Sequence, residues 1–141
     1  MIQSPLFAPE SDWSIPDVFP QFSETETIAV DLETYDPHLM TCGPGWATGR
    51  GHIVGIGIAT KGWKGYFPIR HAGGGNLDED VVLRWLRNTL ASDKRDVIFH
   101  NALYDVGWLR REGVHVGGKI LDTIVAAPLI NENRYSYSLD N

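Results

Sequence analysis

Asp31 and Glu33 stand two residues apart in the run Ile28-Ala29-Val30-Asp31-Leu32-Glu33-Thr34, alternating with apolar residues at the period of a strand. Both carboxylates therefore share one strand face. At a separation of about 6 Å and an effective dielectric of about 20, they repel by roughly 3 kcal/mol. Two arrangements relieve that repulsion: one carboxyl holds a shared proton, or a divalent cation binds. A third acid, Asp105, closes the run Asn101-Ala102-Leu103-Tyr104-Asp105 at the start of a predicted helix, just after the apolar run Val97-Ile98-Phe99-His100. Three acids at the ends of adjacent elements favour the cation, and hard cations take oxygen ligands.

The elements that must position these acids follow from periodicity and punctuation. Residues 1–26 form an extended arm in which Pro5, Pro9, Pro16 and Pro20 alternate with Phe7, Trp13, Ile15, Phe19 and Phe22, so that the aromatics lie on a domain surface. The domain is 27–141. Its first strand spans Thr27 to Thr34. Residues 35–51 hold four glycines and two prolines and are expected to form a long loop. His52 to Thr60 is a second strand, kept small on one face by Gly55, Gly57 and Ala59; Tyr66 to Ile69 is a third, placed at an edge by Pro68. A helix runs from Asp78 to about Ala91 and buries Val82, Trp85, Leu86 and Leu90. Asp96 to His100 is the next strand, and Ala102 to Glu112 a helix stopped by Gly113. Lys119-Ile120-Leu121 feeds a last helix, capped by Asp122 and interrupted by Pro128, and Ser136 or Ser138 reads as the N-cap of another. The domain is expected to be incomplete at its C-terminal end.

At 141 residues, 43% hydrophobic and 11% aromatic, the chain can bury one core. Eighteen acids against twelve bases give a net charge of −6, which excludes a chain-wide footprint for duplex nucleic acid and confines any such contact to a local patch. The single Cys42 excludes an intrachain disulfide framework. No signal peptide opens the sequence, and no apolar run approaches the roughly 18 residues of a membrane helix, so a cytoplasmic protein without membrane contact is expected.

Three antiparallel strands followed by helix-strand units, with acids on the first strand and at a later helix start, resemble the ribonuclease H-like α/β fold, a mixed sheet with flanking helices. Val30-Asp31-Leu32-Glu33-Thr34 resembles the first motif of the DEDD-superfamily 3′-5′ exonucleases, Asp-x-Glu-Thr, and Asn101 to Asp105 their second. Ile53 to Ala59, Tyr66 to Ile69, Asp122-Thr123 and Leu129-Ile130-Asn131 are similar, in order, to the proofreading domain of family-A DNA polymerases, and the loop Gly43-Pro44-Gly45-Trp46-Ala47-Thr48-Gly49 to its phage versions. The third motif, Tyr-x-x-x-Asp or His-x-x-x-Asp, is not met: Tyr135 has Leu139 at that spacing and Tyr137 has Asn141.

The resemblance implies metal-dependent hydrolysis of the 3′-terminal phosphodiester of single-stranded DNA by two Mg²⁺ or Mn²⁺ ions. Asp31 would bridge both ions, Glu33 would bind one and orient the attacking water, and Asp105 would bind the other. Without the third motif this chain should be poorly active. Leu32 and Thr34 would approach the terminal nucleotide, with ordinary strand packing as the alternative. Asn101 is at once a candidate substrate contact and a candidate N-cap. Trp46 and Arg50 could stack on and grip a single strand, or belong to an exposed loop without that role. His100 reads as an interior histidine rather than a general base. The implied partners are a 3′ end and a polymerase domain or other replication protein. A non-catalytic module binding nucleic acid or a replication partner is the alternative function, and DNA is not distinguished from RNA.

Overall fold

β1 (Ile28–Tyr35) buries Ile28, Val30 and Leu32 and exposes Asp31 and Glu33, as its alternation requires. The computed structural model describes residues 14–139; Pro5, Phe7, Pro9 and Trp13 of the expected arm lie outside them. The segment after β1 is not a loop throughout. It holds two single-turn helices, α1 (Leu39–Cys42) and α2 (Gly45–Thr48), each ended by a glycine of positive φ, Gly43 at 82° and Gly49 at 74°. Such short turns carry no readable periodicity, and their glycines act as stops rather than as signs of disorder.

β2 (His52–Thr60) pairs antiparallel with β1, and β3 (Trp63–Pro68) antiparallel with β2, so that β3 is an edge strand that starts three residues earlier than expected and ends at Pro68. α3 (Glu79–Leu90) starts at Asp78, whose side chain accepts the Val81 N–H at 3.1 Å, and buries Leu83 besides Val82, Leu86 and Leu90. β4 (Val97–Phe99) runs parallel to β1, and α4 (Ala102–Arg111) follows it. β5 (Ile120–Asp122) is parallel to β4. α5 (Thr123–Ile130) carries Pro128 inside its last turn without ending there, which corrects the expected interruption. No helix forms among the described residues after α5; the Ser138 N–H donates to Ser136 Oγ at 3.2 Å.

The sheet order is β3-β2-β1-β4-β5. One face carries Val30, Leu32, Ile56, Ile58, Phe67, Val97 and Phe99 and packs against Val82, Leu86 and Leu90 of α3 and Trp108 and Leu109 of α4. Each such side chain, once fully buried, stabilises the fold by about 1.5–3 kcal/mol before conformational entropy is subtracted. The described part of the arm is docked by specific contacts. Phe19 stacks on Phe67 with ring centroids 5.6 Å apart, and Trp85 Nε1 donates to Pro20 O at 3.0 Å. Arg95, only 3% exposed, donates to Ser23 O at 2.8 Å and Glu26 O at 2.6 Å.

Candidate active site

Asp31 and Glu33 project from the sheet face opposite the core, where their cross-strand partners on β2 are Gly57 and Gly55. Gly57 adds no side chain beside Asp31, whereas the place that a Cβ would take at Gly55 is filled by the Tyr66 ring. Between Glu33 and Thr34 the register shifts in a β-bulge, and a bulge re-aims the side chains that follow it. Thr34 Oγ1 lies 2.9 Å from the Tyr104 hydroxyl of α4.

β4 is only three residues long, and α4 begins directly after it. Asn101, at φ 71° and ψ 57°, turns the chain, and it is the single non-glycine residue of positive φ among the described residues. Its side chain makes no cap, contrary to one of the two expectations for it. Asp122 does this work instead. Its Oδ1 accepts the N–H groups of Asn101 at 2.9 Å and Ile124 at 3.0 Å, and its Oδ2 that of Ala102 at 2.8 Å, so one carboxylate starts both α4 and α5.

This start buries Asp105, which is 4% exposed. Burial and then the charge of Asp31 push its carboxyl up to about 7, while hydrogen bonds from the backbone of Leu32 and of Asp105 itself pull the other way. The Asp31 carboxyl is also raised, by burial, with His100 opposing. Asp31 and Asp105 are thus brought together as mutually repelling acids. Glu33 opens elsewhere, into a cleft of about 670 Å³ with Tyr66, Pro68, His71 and Gly73–Gly75. Asp31 opens into one of about 390 Å³ with Ala59, Ile98, His100 and Thr123. The Tyr66 ring lies across Gly55, its hydroxyl is 2.6 Å from His71 Nε2, and burial and then the charge of Glu33 raise its pKa. Among the described residues no three His, Cys, Asp or Glu side chains converge to hold a metal, so the expected three-acid centre is met by a pair with Glu33 beside it. The pair fits a divalent cation by its chemistry: oxygen ligands, one of them buried, which among the described residues form no salt bridge with a Lys or Arg.

The other expected site residues fall in different places. Leu32 is 8% exposed and its side chain packs in the core, the strand packing given as the alternative for it; alternation turns it away from Asp31 and Glu33. Trp46 is half-buried, packs against Gly107 of α4 with Nε1 buried, and lines a cleft with Leu103, Val106 and Arg110. Arg50 is exposed and reaches Cys42 Sγ at 3.1 Å. The Cys42 thiol is held below its ordinary pKa by the Thr41 and Arg50 hydrogen bonds. His100 Nδ1 is 2.8 Å from Thr123 Oγ1, and its buried Nε2 has no partner. Sequence reasoning missed Tyr104, although it stands inside the second motif, and Asp36, which no spacing announces.

Residues 15–141 match the family described as 3′-5′ exonuclease, the type found in A-family DNA polymerases. The chain is 39% identical over 147 aligned positions to a DNA-directed DNA polymerase of Pseudomonas phage M6, covering 98% of this chain and 22% of that protein. It is 30% identical over 126 positions to DNA polymerase DpoZ of Salmonella phage PMBT28, covering 88% and 18%. The chain thus spans about a fifth of these relatives' length. Brucella melitensis NrnC bound to pGG superposes with a TM-score of 0.54 at 19% identity over 82% of this chain and 49% of that one, and its Mg²⁺-bound form with 0.51 at 18% over 82% and 50%. That likeness is one of fold, and the fold is the ribonuclease H-like mixed sheet. No helix among the described residues is long and apolar enough to cross a membrane. The Asp-x-Glu-Thr strand, the Asn-x-x-x-Asp helix start and the match along nearly all of the sequence make this chain a member of the 3′-5′ exonuclease domain family of A-type DNA polymerases.

Proposed function

We propose that the chain is the proofreading module of a phage polymerase, acting in the host cytoplasm and removing nucleotides from the 3′ end of single-stranded DNA. The observation that carries this is Asp31 of the Asp-x-Glu-Thr strand set against the buried Asp105 of the Asn-x-x-x-Asp helix start, two repelling acids that a cation joins once Asp105 has lost its proton. Two divalent ions, Mg²⁺ or Mn²⁺, would be held by Asp31, Asp105 and Glu33, and when bound supply charge neutralisation at the phosphate and a more acidic water.

Thr34 and the exposed Asn101 flank the acids and would meet the terminal nucleotide, with the exposed Arg50 as a phosphate contact further along the strand. Asp122 holds the helix start at which Asp105 and Asn101 are displayed. Glu33, one bulge away from Thr34, would take its place beside the pair when cation and strand are present.

The test is hydrolysis of a 5′-labelled single strand, DNA and RNA in parallel, with Mg²⁺ or Mn²⁺. Stepwise shortening from the 3′ end, lost in Asp31→Ala and Asp105→Ala, is expected. Binding of the strand without shortening, in the presence of either metal, would favour the non-catalytic alternative.

A further inference from the structure

We propose that Asp36 is a positioning residue for the Asp31–Asp105 pair, acting through the hydroxyl of Tyr104. Asp36 Oδ2 accepts two hydrogen bonds, from Tyr104 Oη at 2.9 Å and from the Gly45 N–H at 2.9 Å. Tyr104 has one phenolic proton, and it is given to Asp36, so the 2.9 Å contact with Thr34 is a bond from Thr34 Oγ1 to Tyr104 Oη. The result is a directed chain from Thr34 through Tyr104 to Asp36.

Its anchor points decide its function. Thr34 is the first residue after the bulge that follows Glu33, and Tyr104 immediately precedes Asp105. The chain therefore ties the acid-bearing strand to the acid-bearing turn of α4 at the point where β4 has ended and no ladder joins them. Asp36 also fastens the α1–α2 segment to the same turn, and Arg111 fastens it to the last turn of α4, donating to Gly45 O at 3.0 Å and Arg50 O at 2.9 Å. A Cβ on residue 45 would overlap the Arg50 carbonyl and press on Asp36 Oδ1 and the Trp108 ring, so glycine is what lets the loop close over the carboxylate. That Oδ1 is buried without a partner among the described residues, an expense that a residue serving only to close a loop could avoid by turning to solvent. Misplacing one metal ligand by about 1 Å is enough to cost on the order of a hundredfold in rate, which is the scale of what the chain protects.

The proposal rests on the cation reading of the pair, and its test separates the two. Mn²⁺ affinity is measured on the 141-residue chain as wild type, Asp36→Ala, Asp36→Asn, Tyr104→Phe and the double variant Asp36→Ala/Tyr104→Phe, with Asp31→Ala as the control. Amide hydrogen exchange at residues 102–106 is followed in the same proteins. Asp36→Ala and Tyr104→Phe should each weaken Mn²⁺ binding about tenfold and speed exchange at the α4 start, and the double variant should lose no more than the worse single one, because residues in one network do not add. Asp36→Asn keeps an acceptor for the hydroxyl and should recover most of the loss; if Asp36→Ala does not fold, Asp36→Asn and Tyr104→Phe carry the comparison. Additive losses, or exchange at 102–106 unchanged in Asp36→Ala and Tyr104→Phe, overturn the positioning role. Unchanged Mn²⁺ binding in Asp31→Ala overturns the cation reading alone, and hydrogen exchange then still decides on Asp36.

Discussion

The Asp122 carboxylate accepts the Asn101 N–H at 2.9 Å, and Asn101 is left with a positive φ and an exposed side chain that caps nothing. The cap, one of the two roles expected of this asparagine, thereby falls to Asp122, and the proposed substrate contact is what remains to be tested at Asn101. Asp122→Ala removes acceptors from the starts of both α4 and α5 and should cost about 2–3 kcal/mol in urea unfolding. Asn101→Ala should cost about 1 kcal/mol from its backbone conformation, whereas Asn101→Gly should not destabilise. If Asn101 touches the strand, Asn101→Gly will weaken oligonucleotide binding at unchanged stability. Equal binding by wild type and Asn101→Gly would remove Asn101 from the substrate site.

The alternation of Ile28 to Thr34 and the small face of His52 to Thr60 made the central strands legible to within a residue, because burial on one face leaves a period that survives in the sequence. The places of Asp31 on the strand face turned away from the core and of Asp105 in the first turn of a helix were legible for the same reason. The α1 and α2 turns were not, since four residues fall short of a readable period. Nor was Asp36: its partners, Gly45 and Tyr104, lie 9 and 68 residues away and are found by folding, not by spacing. The cleft that Glu33 shares with Tyr66 was hidden likewise, because it depends on the Tyr66 ring of β3 lying across Gly55 of β2.

Stability without metal should fall as pH rises. The Asp105 carboxyl sits at about 7 in the folded chain against about 4 when unfolded. Below pH 4 both states hold the proton and no penalty exists; between 4 and 7 only the folded state holds it, so the fold is progressively weakened, by on the order of 4 kcal/mol in full. Scanning calorimetry from pH 4 to 8 should show a declining Tm that Asp105→Asn flattens. Mn²⁺ at pH 8 should restore Tm in wild type and not in Asp105→Asn. A wild-type Tm that rises over this range would contradict the burial of Asp105.

Gly107 is set against the indole of Trp46, and a Cβ there would overlap the ring. Gly107→Ala should expel Trp46 from α4, destabilise the fold by about 1–3 kcal/mol and move the Trp46 signal toward that of an exposed indole. The same packing means that a bound strand should leave Trp46 nearly unchanged in wild type. Fluorine NMR of 5-fluorotryptophan-labelled protein can follow Trp46 among the five tryptophans. A large shift of the Trp46 resonance on adding single-stranded DNA would return it to the substrate contacts.

Hydrolysis by these 141 residues alone should be slow even with metal bound. Asp31 and Asp105 form a pair, Glu33 opens into a neighbouring cleft, and neither Tyr135 nor Tyr137 has an acid four residues on. A second ion would therefore be held weakly, and no tyrosine or histidine of a third motif is at hand to set the attacking water. Loss of that alignment costs on the order of a hundredfold or more. Joining this chain to the next stretch of a related phage polymerase, so as to bring in a Tyr-x-x-x-Asp, should raise the rate by at least that factor and draw Glu33 into the metal site. Changing the added Asp to Ala should cancel the gain while leaving the fold and the Asp31–Asp105 pair intact. If the 141 residues match the joined protein in rate, the water must be oriented from within this chain. His100, with its buried and unpartnered Nε2 in the cleft beside Asp31, is then the residue to replace first.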